Sequence, residues 1–446
     1  ALANGKNLGR IRRLRQKQRM STGKDIVVIG GGAAGLMAAV AAARFGADVT
    51  ILEKNDRPGR KLRITGKGRC NLTNHCERDV FFANIPGNAR FLYSAWNRFS
   101  TSDTEAFFEE LGVPLKVERG NRVFPVSDHA ADVADALARE CRRCGVRILK
   151  ETATAVLTGN GAVTGVQCGG RRFPAAAVIV ATGGLSYPAT GSTGDGYRFA
   201  RAVGHTVKPP TPSLVPLVEN GHFSATVQGL SLKNVRLTVR DNTTGKTVFS
   251  DFGEMMFTHF GLTGPLVLSA SAHLTPMEKG RYTALIDLKP ALDEKALDAR
   301  LLSDFEKYQN RDFLNACGDL LPQKLIAPFV ERTGIDPRKK VNTITKEERH
   351  RMLTLLKALP VEIAGFRPID EAIVTKGGVA LPEVSPGTME SKKCRRLYFA
   401  GEVLDLDAYT GGFNLQIAFS TAVLAGEAAA IAVQNENGAP TRPGEE

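Results

Sequence analysis

The sequence predicts an α/β protein: a Rossmann-like parallel-sheet domain, then a small antiparallel sheet or barrel and a run of helices. Three observations lead there. A strand–glycine turn–helix–strand unit occupies residues 25–53. From about His205 the texture changes to clustered prolines and short β-type runs. Residues 291–358 then read as helices before strand texture returns.

In chain order, "DIVVIG" (25–30) is a β-branched run of the kind that forms a buried parallel strand. "GGGAAG" (30–35) follows, then the alanine-rich "LMAAVAAARFG", a helix that stops at Gly46. "DVTILE" (48–53) is the next strand. Gly30, Gly32 and Gly35 form G-x-G-x-x-G, with Ala33 and Ala34 completing the turn. The first glycine allows the tight turn, the second lets backbone approach a pyrophosphate, and the third lets helix and strand pack closely. The anion then meets the helix N-terminus, whose free N–H groups favour it. Glu53, with Lys54 after it, ends the second strand, where a carboxylate accepts both ribose hydroxyls of an adenosine. A carboxylate repels a phosphorylated ribose, so NAD or FAD fits this site better than NADP.

The loop from Lys54 to Asn74 is long and glycine-rich, the kind of loop that is often functional. It contains "TGKGRCNLTN" (65–74), which offers a core almost nothing. Residues 127–145 read as a helix with Ser127 or Asp128 as N-cap, with "VRILK" and "VIVATGG" as strands around it. Beyond His205, prolines stand at 209, 210, 212 and 216. "NVRLTVRD", "KTVFSDF", "PLVLSAS" and "YTALIDL" read as strands of a small antiparallel sheet or barrel. The last helix of 291–358 opens with Thr345 and Glu348 at capping-box spacing. "LYFAGEVLD" is a strand into a turn, the alanine-rich helix spans 415–433, and a polar tail follows from Gln434.

The expected organisation is a basic flexible arm (1–24), a discontinuous dinucleotide-binding domain (25–205 and 376–433), a barrel-like insertion (206–290 and 359–375), a helical subdomain (291–358) and a flexible tail (434–446). FAD rather than NAD follows from two distant turns. "ATGG" (Ala181, Thr182, Gly183) resembles the second fingerprint of glutathione-reductase-like FAD proteins. "FAGE" (through Gly401 and Glu402) resembles their third, which usually ends in Asp.

The run "RPGRKLRITGKGRCNLTN" (57–74) resembles the signature of a bacterial flavoprotein family that includes ribosomal RNA dihydrouridine synthase and a bile-acid enone reductase. So do "ATGGLSYPATGSTGDGY" (181–197), "FTHFGLTGPLVLSAS" (257–271), "TKGGV" (375–379) and "GEVLDLDAYTGGFNLQIAFSTA" (401–422). The resemblance implies an FAD domain interrupted by a β-barrel with helices. It also implies contacts to the cofactor from Arg60, Lys61, Gly66, Gly68, Arg69, Asn71, Thr73, Asn74, Thr154, Gly412, Phe413, Asn414 and Leu415. Glycines let backbone pass a flat ring. Arg60, Lys61 and Arg69 supply positive charge near the pyrophosphate or a substrate anion. Asn71 and Asn74 offer donors and acceptors to ring or ribitol atoms. The helix opened by "GGFNLQ" (411–416) would aim its N-terminus at the ring.

Both named members reduce a carbon–carbon double bond conjugated to a carbonyl. That reaction needs a hydride, which a flavin reduced by NADH or NADPH supplies, and an acid. Cys70, a thiol that nearby cations would tune, or Tyr409, just before "TGGFN", is the expected acid. His259 is a weaker candidate. Cys141 and Cys144 form C-x-x-C late in a helix, away from the N-terminal position that stabilises thiolates, and read as structural. No Cys or His cluster completes a metal site. No second glycine fingerprint stands between strand and helix, so the nicotinamide donor is expected to visit transiently.

The substrate is expected to be uridine in ribosomal RNA. A small hydrophobic enone is the alternative, and a non-catalytic FAD-stabilised RNA-binding protein a third reading. The net charge is +13, of which residues 1–24 contribute eight Lys or Arg and no acid. Lys339, Lys340, Arg349 and Arg351 add positive charge on the helical insertion. Such an arm can neutralise phosphates, or be a solvated leader. Seven unpatterned cysteines suggest reduced thiols in a cytoplasm. No apolar run reaches a membrane span's length of roughly 18 residues, and oligomeric state is left open.

Overall fold

The structure is a computed structural model and describes residues 25–437; the expected basic arm (1–24) and the tail residues 438–446 lie outside the described residues. The chain forms two compact units. One comprises residues up to Thr211 together with those from Val374 onward, and the other spans Pro212–Ile373.

The first unit is built on a five-stranded parallel sheet. Its order is Leu397–Phe399, Ala177–Val180, Asp25–Ile29, Asp48–Glu53 and Arg147–Lys150. The central strands are buried on both faces, as their unbroken apolar runs require. The fingerprint helix, Ala33–Arg44, packs along the C-terminal helix, Phe413–Asn437. Gly426 permits that approach, because a Cβ there would lie 2.3 Å from Ala38 O. A three-stranded meander (Ala155–Gly159, Ala162–Cys168, Arg171–Pro174) and a small sheet of Thr73–Asn74, Arg122–Pro125 and Leu115–Glu118 complete the unit.

The second unit contains a closed six-stranded barrel. Its strands run in the order Leu217–Glu219, Gly261–Thr263, Thr247–Phe257, Ser231–Asp241, Tyr282–Asp287 and Leu359–Phe366. The helices Glu294–Lys307, Gln323–Thr333 and Lys346–Lys357 share one hydrophobic cluster with it. Leu297, Leu301, Phe329 and Leu356 join Leu237, Val239 and Ile286 in that core. Thr345 and Glu348 form the expected reciprocal cap.

Three local expectations need correction. "PLVLSAS" is a helix, Pro265–Ser271. Proline occupies its first turn, after Gly264 at φ +100°, and buries Leu266, Val267 and Ala270 on one side. The helix expected at 127–145 starts at Ala130 with His129 as N-cap and no side-chain cap. Asp128 sits at φ +57° with its carboxylate on Arg69 and Lys116, so it cannot cap. The C-terminal helix runs on to Asn437. Its Val433 is buried and Gln434 donates to Phe45 O, which carries the helix past the expected tail start at 434.

Candidate functional site

The glycine turn is shaped by what it touches. Gly30 has φ +101°, and a Cβ there would strike Ala181 O at 2.6 Å, so the first and second fingerprints press together. A Cβ on Gly35 would sit 1.8 Å from Gly30 O. Around Gly32, by contrast, nothing lies within 4 Å of a Cβ position. Gly32 caps the helix without a side-chain bond, and Ala33–Arg44 has no acid in its first turn. The open face and uncapped N–H groups make a cradle that fits a pyrophosphate. Glu53, buried at the strand end, accepts from Gly31 N (2.6 Å) and from Asn55 N and Nδ2 (2.7 Å each). Thr182 Oγ1 is buried without a partner among the described residues, a donor that a ligand would satisfy.

The third turn joins them. Gly401 has φ +76°, and a Cβ there would lie 2.8 Å from the Ala34 side chain. Glu402 Oε2 accepts from Lys61 Nζ at 2.6 Å, and Oε1 accepts from Ser186 Oγ (2.9 Å) and Thr375 N (2.9 Å). Lys61 also donates to Ser186 Oγ at 2.6 Å, and Thr375 Oγ1 accepts from Leu185 N at 2.8 Å. One carboxylate thus ties four distant segments around Gly183, itself at φ +72°.

The loop run 65–74 takes an unusual path. Gly66, Lys67, Gly68 and Cys70 all adopt left-handed backbone, with φ between 58° and 84°. Its side chains mostly fasten loops rather than reach outward. Asn71, with its amide oriented to suit its neighbours, donates to Thr73 O (3.0 Å) and Val123 O (3.2 Å) and accepts from Gly412 N–H (3.0 Å). Asn74 Nδ2 donates to Gly120 O and Gly411 O, both at 3.0 Å. Asn414 Oδ1 accepts from Ala408 N, and its Nδ2 donates to Ala408 O. Phe413 is buried and Leu415 half-buried as the C-terminal helix begins. Asn71 and Asn74 thus hold the Gly411–Gly412 turn in place, and Asn414 holds the backbone just before it.

The cations also differ from expectation. Arg69 stacks 4.2 Å over Phe124 and pairs with Glu118 and Asp128, partners within the protein. Lys54 bonds Asp195 (2.7 Å) and Thr193 (2.6 Å), and Arg60 reaches Asn55 Oδ1 at 3.3 Å. Thr154 is exposed, donating to Gln167 O at the start of the meander. On the helical insertion Lys339 pairs with Glu348, Lys340 with Asp312 and Arg349 with Asp298, while Arg351 donates to Thr333 O. These are internal ties, which weakens the expectation of a phosphate-binding face there.

Cys70 is fully buried, and burial pushes its thiol up to about 12, opposed only by a bond to Thr65. No cation contributes, so the expected tuning toward neutrality is absent. Tyr409 is half-buried beside Gly411, and its N–H donates to Asn84 O at 2.9 Å. His259 is exposed, edge-on to Phe260. Cys141 is buried with its thiol raised by burial to about 12, as expected of a structural residue. Among the described residues no group of His, Cys, Asp or Glu is placed to hold a metal. One helix, Phe413–Asn435, is long and apolar enough to cross a membrane, but 78% of its apolar 18-residue window is buried inside the protein.

Gln416 escaped the sequence reading. It is fully buried, accepts from Thr73 Oγ1 (2.5 Å) and Thr104 Oγ1 (2.8 Å), and donates to Ser100 O (3.0 Å). Ser186 and Thr375 were missed likewise. The available signal was their place inside the family-like runs, where a polar residue amid small apolar ones asks for a partner.

The family model for the HI0933-like protein Rossmann domain matches residues 24–428. The chain is 34% identical over 415 residues to a 3-dehydro-bile acid delta(4,6)-reductase of Clostridium scindens, covering 91% of this chain and 98% of that protein. It is 31% identical over 411 residues to the ribosomal RNA dihydrouridine synthase of Haemophilus influenzae, covering 90% and 98%. To the Escherichia coli protein of the same name it is 30% identical over 403 residues, covering 89% and 96%.

Proposed function

The chain belongs to the HI0933-like FAD Rossmann family of flavoprotein oxidoreductases, and from that premise we propose that it reduces a carbon–carbon double bond conjugated to a carbonyl, acting on uridine in ribosomal RNA with NADH or NADPH as donor. The observation that carries this reading is the meeting of three distant glycine turns, at Gly30, Gly183 and Gly401, around one open helix N-terminus. Bound FAD supplies the hydride relay between donor and double bond.

The rest falls to this chain's own residues. Helix N–H groups at Gly32–Ala34 would hold the pyrophosphate, and Glu53 would hold the ribose. The Lys61–Glu402 pair fixes the second and third turns, which would border the ribitol. Gly411, in the turn anchored by Asn71 and Asn74, would present its backbone N–H to negative charge on the ring, the Gly412 N–H being held by Asn71. Tyr409 donates the proton to the α-carbon. Its backbone is pinned to Asn84, which sets where its hydroxyl can reach. Cys70 is left a structural part in this reading. Replacing Tyr409 with Phe then lowers product formation by about a hundredfold while flavin reduction by NAD(P)H is unchanged. Cys70→Ala leaves both intact.

A second reading, reduction of a small hydrophobic enone, is favoured by one observation. Residues 212–373 carry 21 Lys or Arg against 20 Asp or Glu, and the insertion's cations are internally paired. Oxygen-free mixing of the oxidised protein with NADH and with NADPH tests the reductase reading. Bleaching of the yellow band is expected with one of them. No bleaching with either leaves a non-catalytic FAD protein.

A further inference from the structure

The segment 78–98 packs against the Gly411–Phe413 turn through a chain of rings. Phe413 lies 6.1 Å from Phe81, Phe81 lies 6.3 Å from Trp96, Trp96 lies 6.1 Å from Phe82, and Phe82 meets Tyr93 edge-on at 4.7 Å. The inner rings are buried or half-buried, but the chain surfaces at Tyr93, which is 40% exposed, beside Val80 at 48%. Exposed Arg78 lies 5.0 Å from the Tyr93 ring and 5.6 Å from the Phe82 ring.

Arg78 differs from three other arginines of this unit, although Arg122, over the Phe124 ring, likewise has no carboxylate partner among the described residues. Arg44, Arg69 and Arg98 also approach rings or helices, and each is paired with a carboxylate. Among the described residues Arg78 is in ion-pair contact with no acid, although Glu77 and Asp79 flank it in the sequence. A guanidinium held by aromatic faces keeps its N–H groups available to an anion.

We propose that Arg78 and Tyr93 form a stacking platform for RNA, taking an unstacked base on the Tyr93 ring and the adjoining phosphate on the Arg78 guanidinium. A flat exposed ring beside an unpaired arginine is the combination that binds single-stranded nucleotides. Charge favours this unit: residues 25–211 and 374–437 carry 29 Lys or Arg against 24 Asp or Glu, whereas 212–373 are nearly balanced. The ring chain runs from exposed Tyr93 inward to Phe413, next to the Gly411–Gly412 turn. The proposal rests on the RNA reading of the proposed function and sharpens it by naming the docking surface.

The test uses the FAD-loaded full chain and a short fluorescein-labelled oligouridine, with binding read by anisotropy across a salt series. Three variants are compared: Arg78→Glu, Tyr93→Leu, which keeps an apolar contact but removes the flat ring, and Lys339→Gln/Lys340→Gln on the insertion. The FAD absorbance per chain and bleaching by NAD(P)H serve as checks that each variant is folded and loaded. Arg78→Glu and Tyr93→Leu are each expected to weaken binding by about tenfold, and Arg78→Glu to flatten the salt slope by about one. The insertion variant binds as wild type does. If wild type binds and both platform variants bind equally well, the platform is wrong while the RNA reading stands. If wild-type protein binds neither oligouridine nor ribosomal RNA, both fall, and the small-enone reading takes their place.

Discussion

The two units solve the same folding problem with different materials. Residues 212–373 close a six-stranded barrel over one apolar cluster, and its charges are nearly balanced, with pairs such as Lys339–Glu348 and Lys340–Asp312. The FAD unit spends polar groups in its interior. Gln416, Thr73, Thr104, Glu53 and Thr375 are all buried, and each ties loops from different parts of the chain. Buried polar networks stabilise only when every member is satisfied. Their presence marks where the fold must hold backbone in a fixed pose rather than merely exclude water. The pose here is a set of left-handed turns around an open cradle.

Glycine substitution should show the contrast at its largest. Gly35→Ala forces a Cβ into Gly30 O and is expected to cost about 3 kcal/mol or more and to abolish FAD retention. Gly318→Ala in the other unit meets nothing within 4 Å and should shift stability by less than about 1 kcal/mol. Thermal unfolding with the flavin-to-protein absorbance ratio reads both. Equal effects would break the comparison.

Next in size are two core changes of different kind. Gln416→Leu leaves Thr73, Thr104 and Ser100 without their partner and is expected to cost about 2–3 kcal/mol, with FAD lost as the Gly412 turn loosens. Leu301→Ala is expected to cost about 2–4 kcal/mol, yet each folded chain should keep its FAD. Lys61→Met, which removes one side of the part-buried Glu402 pair, is expected to cost about 1–2 kcal/mol. It should also raise the FAD dissociation constant.

The smallest effect concerns pH. His205 is fully buried, with Nε2 2.6 Å from Ser391 Oγ, and Nδ1 3.2 Å from Glu383 but out of hydrogen-bonding line. Lys393 and the Phe399 ring complete its surroundings. Burial holds its pKa below the usual value, outweighing the pull of Glu383, whose own carboxyl is held down to about 2. The native state then binds fewer protons than the unfolded chain, so this stability is present above the ordinary histidine range and is lost as pH falls through it. Denaturant midpoints of wild type and His205→Asn across that range should diverge at the high-pH end and converge as pH falls. Parallel curves would contradict the assignment.

How much was readable beforehand follows the same division. The parallel-sheet unit announces itself, because Gly30, Gly32 and Gly35 must satisfy backbone geometry that few sequences can. The barrel's long strands were legible from β-branched alternation. The helix at Pro265–Ser271 was not, since seven apolar and small residues carry no period that separates helix from strand, and only Gly264–Pro265 hinted at a start. At the site, residue type identified the loop but not the direction of each side chain. Arg69 and Asn71 were read as ligands because charge and amides suggest them. Their actual partners, Glu118, Asp128, Thr73 and Gly412, are tertiary neighbours that no local spacing reveals.

The central claim is most directly tested by the second half of the reaction. Protein bleached by NAD(P)H without oxygen is mixed with ribosomal RNA from cells lacking it, and the return of the yellow band is followed while dihydrouridine is counted by mass spectrometry. The account predicts that colour returns with one dihydrouridine formed per flavin reoxidised. A band that stays bleached in the presence of RNA, or returns without dihydrouridine, would contradict it.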